Sequence, residues 1–303
     1  MKTLLFLYNP HAGKAHIASR LHEIVHIFQT AGYLTTVYAT TGPRDAVEKL
    51  HELAGQFDHI VCAGGDGTLS EAISGLIDSN YPGNLGYIPA GSTNDFSKTL
   101  GIPSTELEAA RIAVNGSAVA CDIGSFNRLH QFVYVAAFGI FTAVSYQTPQ
   151  EFKNMLGHLA YVLEGIRSLT EVASYHLRLQ WDQGEMEGEF IYGAVSNSVS
   201  IGGFPNPLSE QVILDDGVFE VMLVRSPHSI LELNGIIAEL LTSEPSENVI
   251  CFQTSRLSIQ SASEIPWTLD GENGGKHCFV DIRNLHNAIN LCCHVKPTLI
   301  ENK

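Results

Sequence analysis

The chain has 303 residues, 45% hydrophobic and 16% charged, a globular composition that excludes a disordered protein. Its formal net charge is −15, with 17 Lys and Arg against 32 Asp and Glu, so a nucleic-acid partner is not expected and strong electrostatic binding to an anionic membrane is disfavoured. The length suffices for two domains and a large core.

Thr3-Leu4-Leu5-Phe6-Leu7-Tyr8 reads as a strand, and Met1-Lys2 leads straight into it with no signal peptide. Residues 17–29 read as a helix with Ile17, Leu21, Ile24, Val25 and Phe28 on one face, closed by Gly32. Thr35–Ala39 is a strand and Arg44–Leu53 a helix. Ile60-Val61-Cys62-Ala63 is a buried strand, and Leu69–Ile77 carries helical spacing. A strand at Leu85–Ile88 and a helix at Thr105–Asn115 follow. This alternation predicts a parallel sheet with helices on both faces.

After Cys121-Asp122-Ile123-Gly124 the pattern changes. Thr148, Pro149 and Glu151 form a capping box for a helix striped with Phe152, Leu156, Leu159, Leu163 and Ile166, which core packing explains. His176–Trp181 alternates with period two, and Asp182-Gln183-Gly184 is a turn. Phe190–Ser196, Gly217–Val224, Arg256–Gln260 and Cys278–Ile282 are further strands, so this half is mainly antiparallel, a sandwich or flattened barrel. The six cysteines form no C-x-x-C pair and read as free thiols, and the thirteen histidines show no zinc spacing. The longest uncharged apolar run, Phe132–Tyr146, is 15 residues interrupted by Gly139, too short to span a bilayer.

Two loops carry the chemistry: Gly64-Gly65-Asp66-Gly67-Thr68 and Gly91-Ser92-Thr93-Asn94-Asp95-Phe96. Each follows a strand. Glycines let backbone approach a ligand, and a helix N-terminus attracts negative charge. A carboxylate inside such a loop repels phosphate unless a cation lies between, so Asp66 points to Mg²⁺, directly or through water. One glycine loop alone is read equally well as a plain turn; two strand-end loops, each with a carboxylate, fit a nucleotide–metal cleft at the carboxyl edge of a parallel sheet. Asn9–Gly13 ends the first strand as one wall of the cradle, though Asn-Pro-x-x-Gly alone is more often just a turn; Ala15 after Gly13-Lys14, with no glycine at the required distance before it, rules out a P-loop. Thr40 ends its strand and is placed either to reach the nucleotide or to cap. Asp95 places metal-bound water beside Asp66, caps the helix that follows, or does both.

Gly65-Asp66-Gly67-Thr68-Leu69 with Gly91–Phe96 resembles the catalytic domain of the diacylglycerol kinase family, which includes bacterial soluble lipid kinases and is related to sphingosine and ceramide kinases. Asn9-Pro10-His11-Ala12-Gly13-Lys14 resembles the family's N-terminal loop, with Ala12 where Ser is usual, and Leu269-Asp270-Gly271-Glu272 resembles its C-terminal Asp-Gly-Glu. The resemblance implies an α/β fold, with a doubly wound parallel-sheet nucleotide-binding domain over 1–122 and a mainly antiparallel β-sandwich lipid-substrate domain over 123–303, the last residues free to pack back on the first. It implies an ATP- and Mg²⁺-dependent lipid kinase that phosphorylates the hydroxyl of diacylglycerol or a similar lipid. Asn9, Pro10, His11, Ala12, Gly13, Thr40, Gly64, Gly65, Asp66, Gly67, Thr68, Glu71 and Ser92 are expected at the nucleotide. Glu272 is expected as catalytic base with Asp66 and Asp95, Asp122 joins the water network, and Asp270 orients the site or binds metal. Asp216, through its side chain, and Ile213 and Val218, through carbonyls, are expected at a second Mg²⁺, unless Asp215-Asp216-Gly217 is an ion-free turn.

The expected partners are ATP, a lipid alcohol, transient membrane contact and, as one arrangement, a second copy in a homodimer; the expected location is cytoplasmic and peripheral. An NAD kinase is the enzymatic alternative, since it also carries Gly-Gly-Asp-Gly-Thr, but Asn94-Asp95-Phe96 departs from the Asn-Glu that follows there. A non-catalytic nucleotide- or lipid-binding protein on the same fold is the other.

Overall fold

The first unit alternates strand and helix because buried apolar runs alternate with amphipathic stripes. In chain order it runs β1 (Lys2–Tyr8), α1 (His16–Thr30), β2 (Tyr33–Ala39), α2 (Asp45–Leu53), β3 (His59–Gly64), α3 (Asp66–Asp78), β4 (Asn84–Pro89), α4 (Asp95–Thr99), α5 (Glu106–Asn115) and β5 (Ser117–Phe126). The second contributes β6 (His130–Phe132), β7 (Val135–Gly139), β8 (Tyr175–Trp181), β9 (Gly184–Ser196), β10 (Ser200–Ile201), β11 (Phe204–Pro205), β12 (Phe219–Arg225), β13 (Val249–Thr254), β14 (Arg256–Leu269) and β15 (Glu272–Cys293). This computed structural model describes residues 1–13, 16–140, 173–201, 204–205, 212–229, 232, 235–236, 239 and 247–293; the helix expected over 148–166 lies outside the described residues. One unit comprises Met1–Ile123, Ile213–Asp215 and the chain from His286 onward; the other comprises Gly124–Val212 and Asp216–Leu285.

In the first unit β2, β1, β3 and β4 lie side by side, all parallel, and the end of β15 continues the series beside β4. Successive strand residues point to opposite faces, and all six residues of β3 are buried, so helices cover both faces there. α1 packs with α5, and α2 with α3. β2 is an edge strand with exposed positions. Tyr8 pairs with both Ala39 and Ala63, and Gly64 with Pro89, so the turns that begin at Asn9, Thr40, Gly65 and Ala90 leave one carboxyl edge.

The second unit is mainly antiparallel. Pairings run β13–β12–β9, then β7 and β8 end to end in one lane, then β14 and β15. Alternate side chains turn inward onto one cluster that includes Phe126, Phe138, Phe190, Phe219 and Trp267. Phe138 and Trp267 rings meet at 5.0 Å, and Phe132 and Phe219 at 5.5 Å. All six cysteines are free thiols, and Cys62, Cys121, Cys292 and Cys293 are buried.

Candidate active site

The two glycine loops of the first unit meet backbone to backbone. A Cβ on Gly91 would lie 2.5 Å from Gly65 Cα and 2.7 Å from Asn94 Oδ1, so only glycine permits this approach. Asn94 locks the second loop: its Oδ1 accepts Gly91 N–H at 2.9 Å and its Nδ2 donates to Gly91 O at 2.9 Å. It adopts φ 49°, a region Asn tolerates better than most residues. Tyr87 donates its hydroxyl to Gly64 O at 3.1 Å; burial, then the nearby Asp66 charge, push its pKa well above the ordinary value and keep it a donor.

Asp66 is the joint between the loops. Its Oδ2 accepts Asp95 N–H at 3.1 Å and its Oδ1 accepts Phe96 N–H at 3.4 Å. The carboxylate thereby serves the N-terminus of α4 from across the gap. The first residue of that helix, Asp95, follows Asn94, which makes no side-chain cap. Asp95 is fully buried, and its Oδ1 receives Lys98 Nζ at 3.0 Å. Asp66 thus bonds the first two N–H groups of α4 from the other loop. No side chain caps α3 either, where Gly65 stands at the N-cap. A 13-residue helix with its N-terminus at a glycine turn suits phosphate oxygens. The residues present also fit Mg²⁺: the ion ordinarily takes one or two carboxylates and completes its shell with water and phosphate. Among the described residues no three His, Cys, Asp or Glu gather as a closed metal cage.

Asn9 reaches Thr68 Oγ1 with its Nδ2 at 3.4 Å, while its Oδ1 accepts His11 N–H at 2.9 Å, so the first wall is tied to the glycine turn. Pro10, Ala12 and Gly13 continue that turn, and Gly67 and Thr68 open α3. Thr40 is buried and donates its N–H to Tyr8 O at 2.9 Å. Ser92 is exposed. Glu71 sits one turn into α3, and its Oε1 accepts Arg44 N–H at 2.8 Å, which holds the start of α2. Asp122 is fully buried; its Oδ1 accepts Asn287 N–H at 2.7 Å and lies 3.0 Å from His286 Nδ1.

In the second unit Asp270 and Gly271, at φ 50° and 84°, make a two-residue turn that pairs Leu269 with Glu272. Two positive φ values define the type I′ hairpin favoured by Asp-Gly. Glu272 is exposed at the head of β15. Asp270 is buried, and its carboxylate accepts the N–H groups of Val133, Tyr134 and Val135 at 2.7, 3.0 and 3.1 Å. Of the two expected roles for Asp270, this geometry supports orientation. Asp216 is exposed and its Oδ1 accepts Val218 N–H at 3.1 Å, beside Gly217 at φ 82°. Val218 belongs to the same unit and Ile213 to the first.

Sequence reasoning missed Asn94, Tyr87 and the capping role of Asp66. The only available signal was an Asn inside a glycine loop, a residue type suited to positive φ and to bonding its own backbone.

A sequence model of the diacylglycerol kinase catalytic domain matches residues 3–126. A diacylglycerol kinase of Bacillus subtilis (strain 168) is 34% identical over 279 residues, 91% of each chain. One from Staphylococcus aureus (strain bovine RF122 / ET3-1) is 32% identical over 278 residues, 91% of this chain and 87% of that one. A solved structure from Bacillus anthracis str. Sterne, described as a putative diacylglycerol kinase, superposes with a TM-score of 0.81 at 25% identity, covering 96% of this chain and 97% of that one. Among the described residues no helix is long and apolar enough to cross a membrane.

Proposed function

The chain belongs to the diacylglycerol kinase family, a family of lipid kinases, and from that premise we propose that it transfers the γ-phosphoryl group of ATP to the free hydroxyl of diacylglycerol or a similar lipid alcohol. The observation that carries the reading is the Gly65–Gly91 apposition with Asp66 bridging to the second loop. That arrangement opens two sets of backbone groups and one carboxylate toward the same carboxyl edge.

Gly64–Thr68 and the start of α3 bind the donor phosphates through backbone N–H groups, with Asn9–Gly13 as the adjoining wall. Thr40 and Ser92 contact the nucleotide. Asp66 would hold Mg²⁺, directly or through water, and Asp95 would place metal-bound water beside it; the ion would neutralise phosphate charge. Asp216 and Val218 hold a second, structural cation. Glu272 accepts the proton of the lipid hydroxyl as its oxygen bonds to the γ-phosphorus and the bond to the ADP oxygen breaks. Asp270 keeps the Glu272 turn in place. Relatives named diacylglycerol kinase cover nine-tenths of the chain, which favours this reading over an NAD kinase.

Glu272→Gln separates these roles. It keeps the size of the side chain but accepts no proton, so kcat should fall by about 10²–10⁴-fold. ATP affinity by calorimetry should be unchanged, because the phosphate loops belong to the first unit and Glu272 to the second. Loss of both together would make Glu272 a nucleotide ligand or a structural residue, and full activity would move the base elsewhere.

A further inference from the structure

One pair of histidines corrects the expectation that none stands at zinc spacing: His22-Glu23-Ile24-Val25-His26 reads H-E-x-x-H. Both belong to α1, which runs from His16 to Thr30, so the pair sits in the helix interior rather than at a frayed end. Residues four apart on a helix are neighbours on one face, with about 5–6 Å between Cβ atoms. Two imidazoles at that spacing can reach one metal ion.

Burial fixes which face this is. Ile17, Ile24 and Phe28 are the buried apolar residues of α1 and mark its core side. At about 100° per residue, His22 and His26 stand almost opposite that side. Both are exposed, as are Ser19 and Thr30 on either side of them. Among the described residues neither ring makes a hydrogen bond or an ion pair, so ring nitrogens of both are open to a ligand. Histidine is a middling helix former, so neither propensity nor packing calls for it at these two positions.

The donor set selects the ion. Imidazole nitrogen suits Zn²⁺, Ni²⁺ and Cu²⁺, whereas Mg²⁺ takes oxygen ligands and keeps much of its water. The pair therefore answers to a different class of cation from the Asp66 carboxylate. Among the described residues no third His, Cys, Asp or Glu joins the two. A catalytic zinc ordinarily has three protein ligands, so the H-E-x-x-H spacing carries no protease activity here. With two imidazoles, the remaining positions of the ion are filled by water, which makes the site open and the ion exchangeable. The spacing exists only while α1 is helical, so binding is linked to the folded state.

We propose that His22 and His26 form a solvent-exposed chelate site for one divalent transition-metal ion, Zn²⁺, Ni²⁺ or Cu²⁺, on the outer face of α1. The site stands whether or not the chain is a kinase. The untagged full chain, freed of metal, is titrated by calorimetry with Zn²⁺ and with Ni²⁺ in the presence of excess Mg²⁺. Cys278 is an exposed thiol and a competing soft donor, so every measurement is made in a Cys278→Ser background. One ion should bind at the pair, and Mg²⁺ should not compete. His22→Ala and His26→Ala should each raise Kd by about tenfold or more, because the second imidazole binds intramolecularly once the first is engaged. His26→Ala/Gln29→His keeps the number of histidines but sets the pair seven residues apart, and should bind as weakly as His26→Ala. His176→Gln, at an exposed position on β8, should leave Kd unchanged. With Ni²⁺ at about 100 times Kd, the ratio of folded to unfolded chain in urea should rise by up to about a hundredfold, and hardly at all in either single variant at the same Ni²⁺ concentration. Positions 22, 26, 29 and 176 are exposed, so none of these substitutions threatens the core. Protein in this background that binds neither ion saturably, single variants that bind as tightly as their parent, or full affinity in His26→Ala/Gln29→His would overturn the proposal.

Discussion

Asp270 offers the sharpest structural perturbation. Its carboxylate accepts three backbone N–H groups from Val133–Val135, at 2.7–3.1 Å, in a buried setting. Bonds to a charged acceptor are worth about 1.5–3 kcal/mol each, so the naive sum is roughly 4.5–9 kcal/mol. Water entry and local relaxation recover part of that, and each buried N–H left unbonded costs about 1–3 kcal/mol. Asp270→Ala should therefore cost about 3–5 kcal/mol. Asp270→Asn keeps one acceptor oxygen but turns an amide NH₂ toward donors, and should cost about 2–3 kcal/mol. Urea unfolding at neutral pH measures both, with the m-value unchanged if only the native state is affected. The same variants should lower kcat, because the 270–271 turn positions Glu272, and should leave ATP affinity alone. An Asp270→Asn variant within about 0.5 kcal/mol of wild type would refute the reasoning. A cost that appears only when Mg²⁺ is present would instead make Asp270 a metal ligand.

Two further outcomes are expected. Gly91→Ala forces a methyl to 2.5 Å from Gly65 Cα, so the two loops must separate; calorimetry should show ATP affinity reduced by about tenfold or more, while Gly271→Ala, strained at φ 84° but facing open space, should cost only about 1 kcal/mol of stability and no nucleotide affinity. Burial depresses the His59 pKa below its ordinary 6.5, outweighing the bond between its Nε2 and Ala113 O at 2.7 Å, so the fold holds it neutral. The unfolded chain then takes the proton first, and the urea midpoint should fall as pH drops through about 6.5, less steeply in His59→Gln.

Much of the first unit is legible in sequence because its strands are continuous apolar runs and its helices carry stripes with glycine ends. The residues 60–63 read as buried strand lie in β3, all of it buried, and α1 ends two residues before Gly32 as its spacing predicts. The second unit is less legible. Sequence shows Arg256–Gln260 and Cys278–Ile282 as strands, yet β14 and β15 extend through polar stretches such as Ser261–Glu264, where the register shifts and the apolar alternation lapses. Side-chain roles that depend on distant partners leave no local trace. Asp270 bonds residues more than a hundred positions away, and Asp66 caps a helix 29 residues on. Asp95 reads as a cap from its own neighbourhood, and only the folded chain shows Asp66 bonding the same helix start from the other loop.

The phosphorylated product separates a lipid kinase from an NAD kinase. The full-length protein is incubated with ATP labelled in the γ-phosphoryl group, Mg²⁺, diacylglycerol in mixed micelles, and NAD in the same reaction. Label should pass into an organic-extractable lipid phosphate in wild type, with about 10²-fold less or lower in Glu272→Gln. Label recovered in NADP, with none in the lipid fraction, would make the chain an NAD kinase instead.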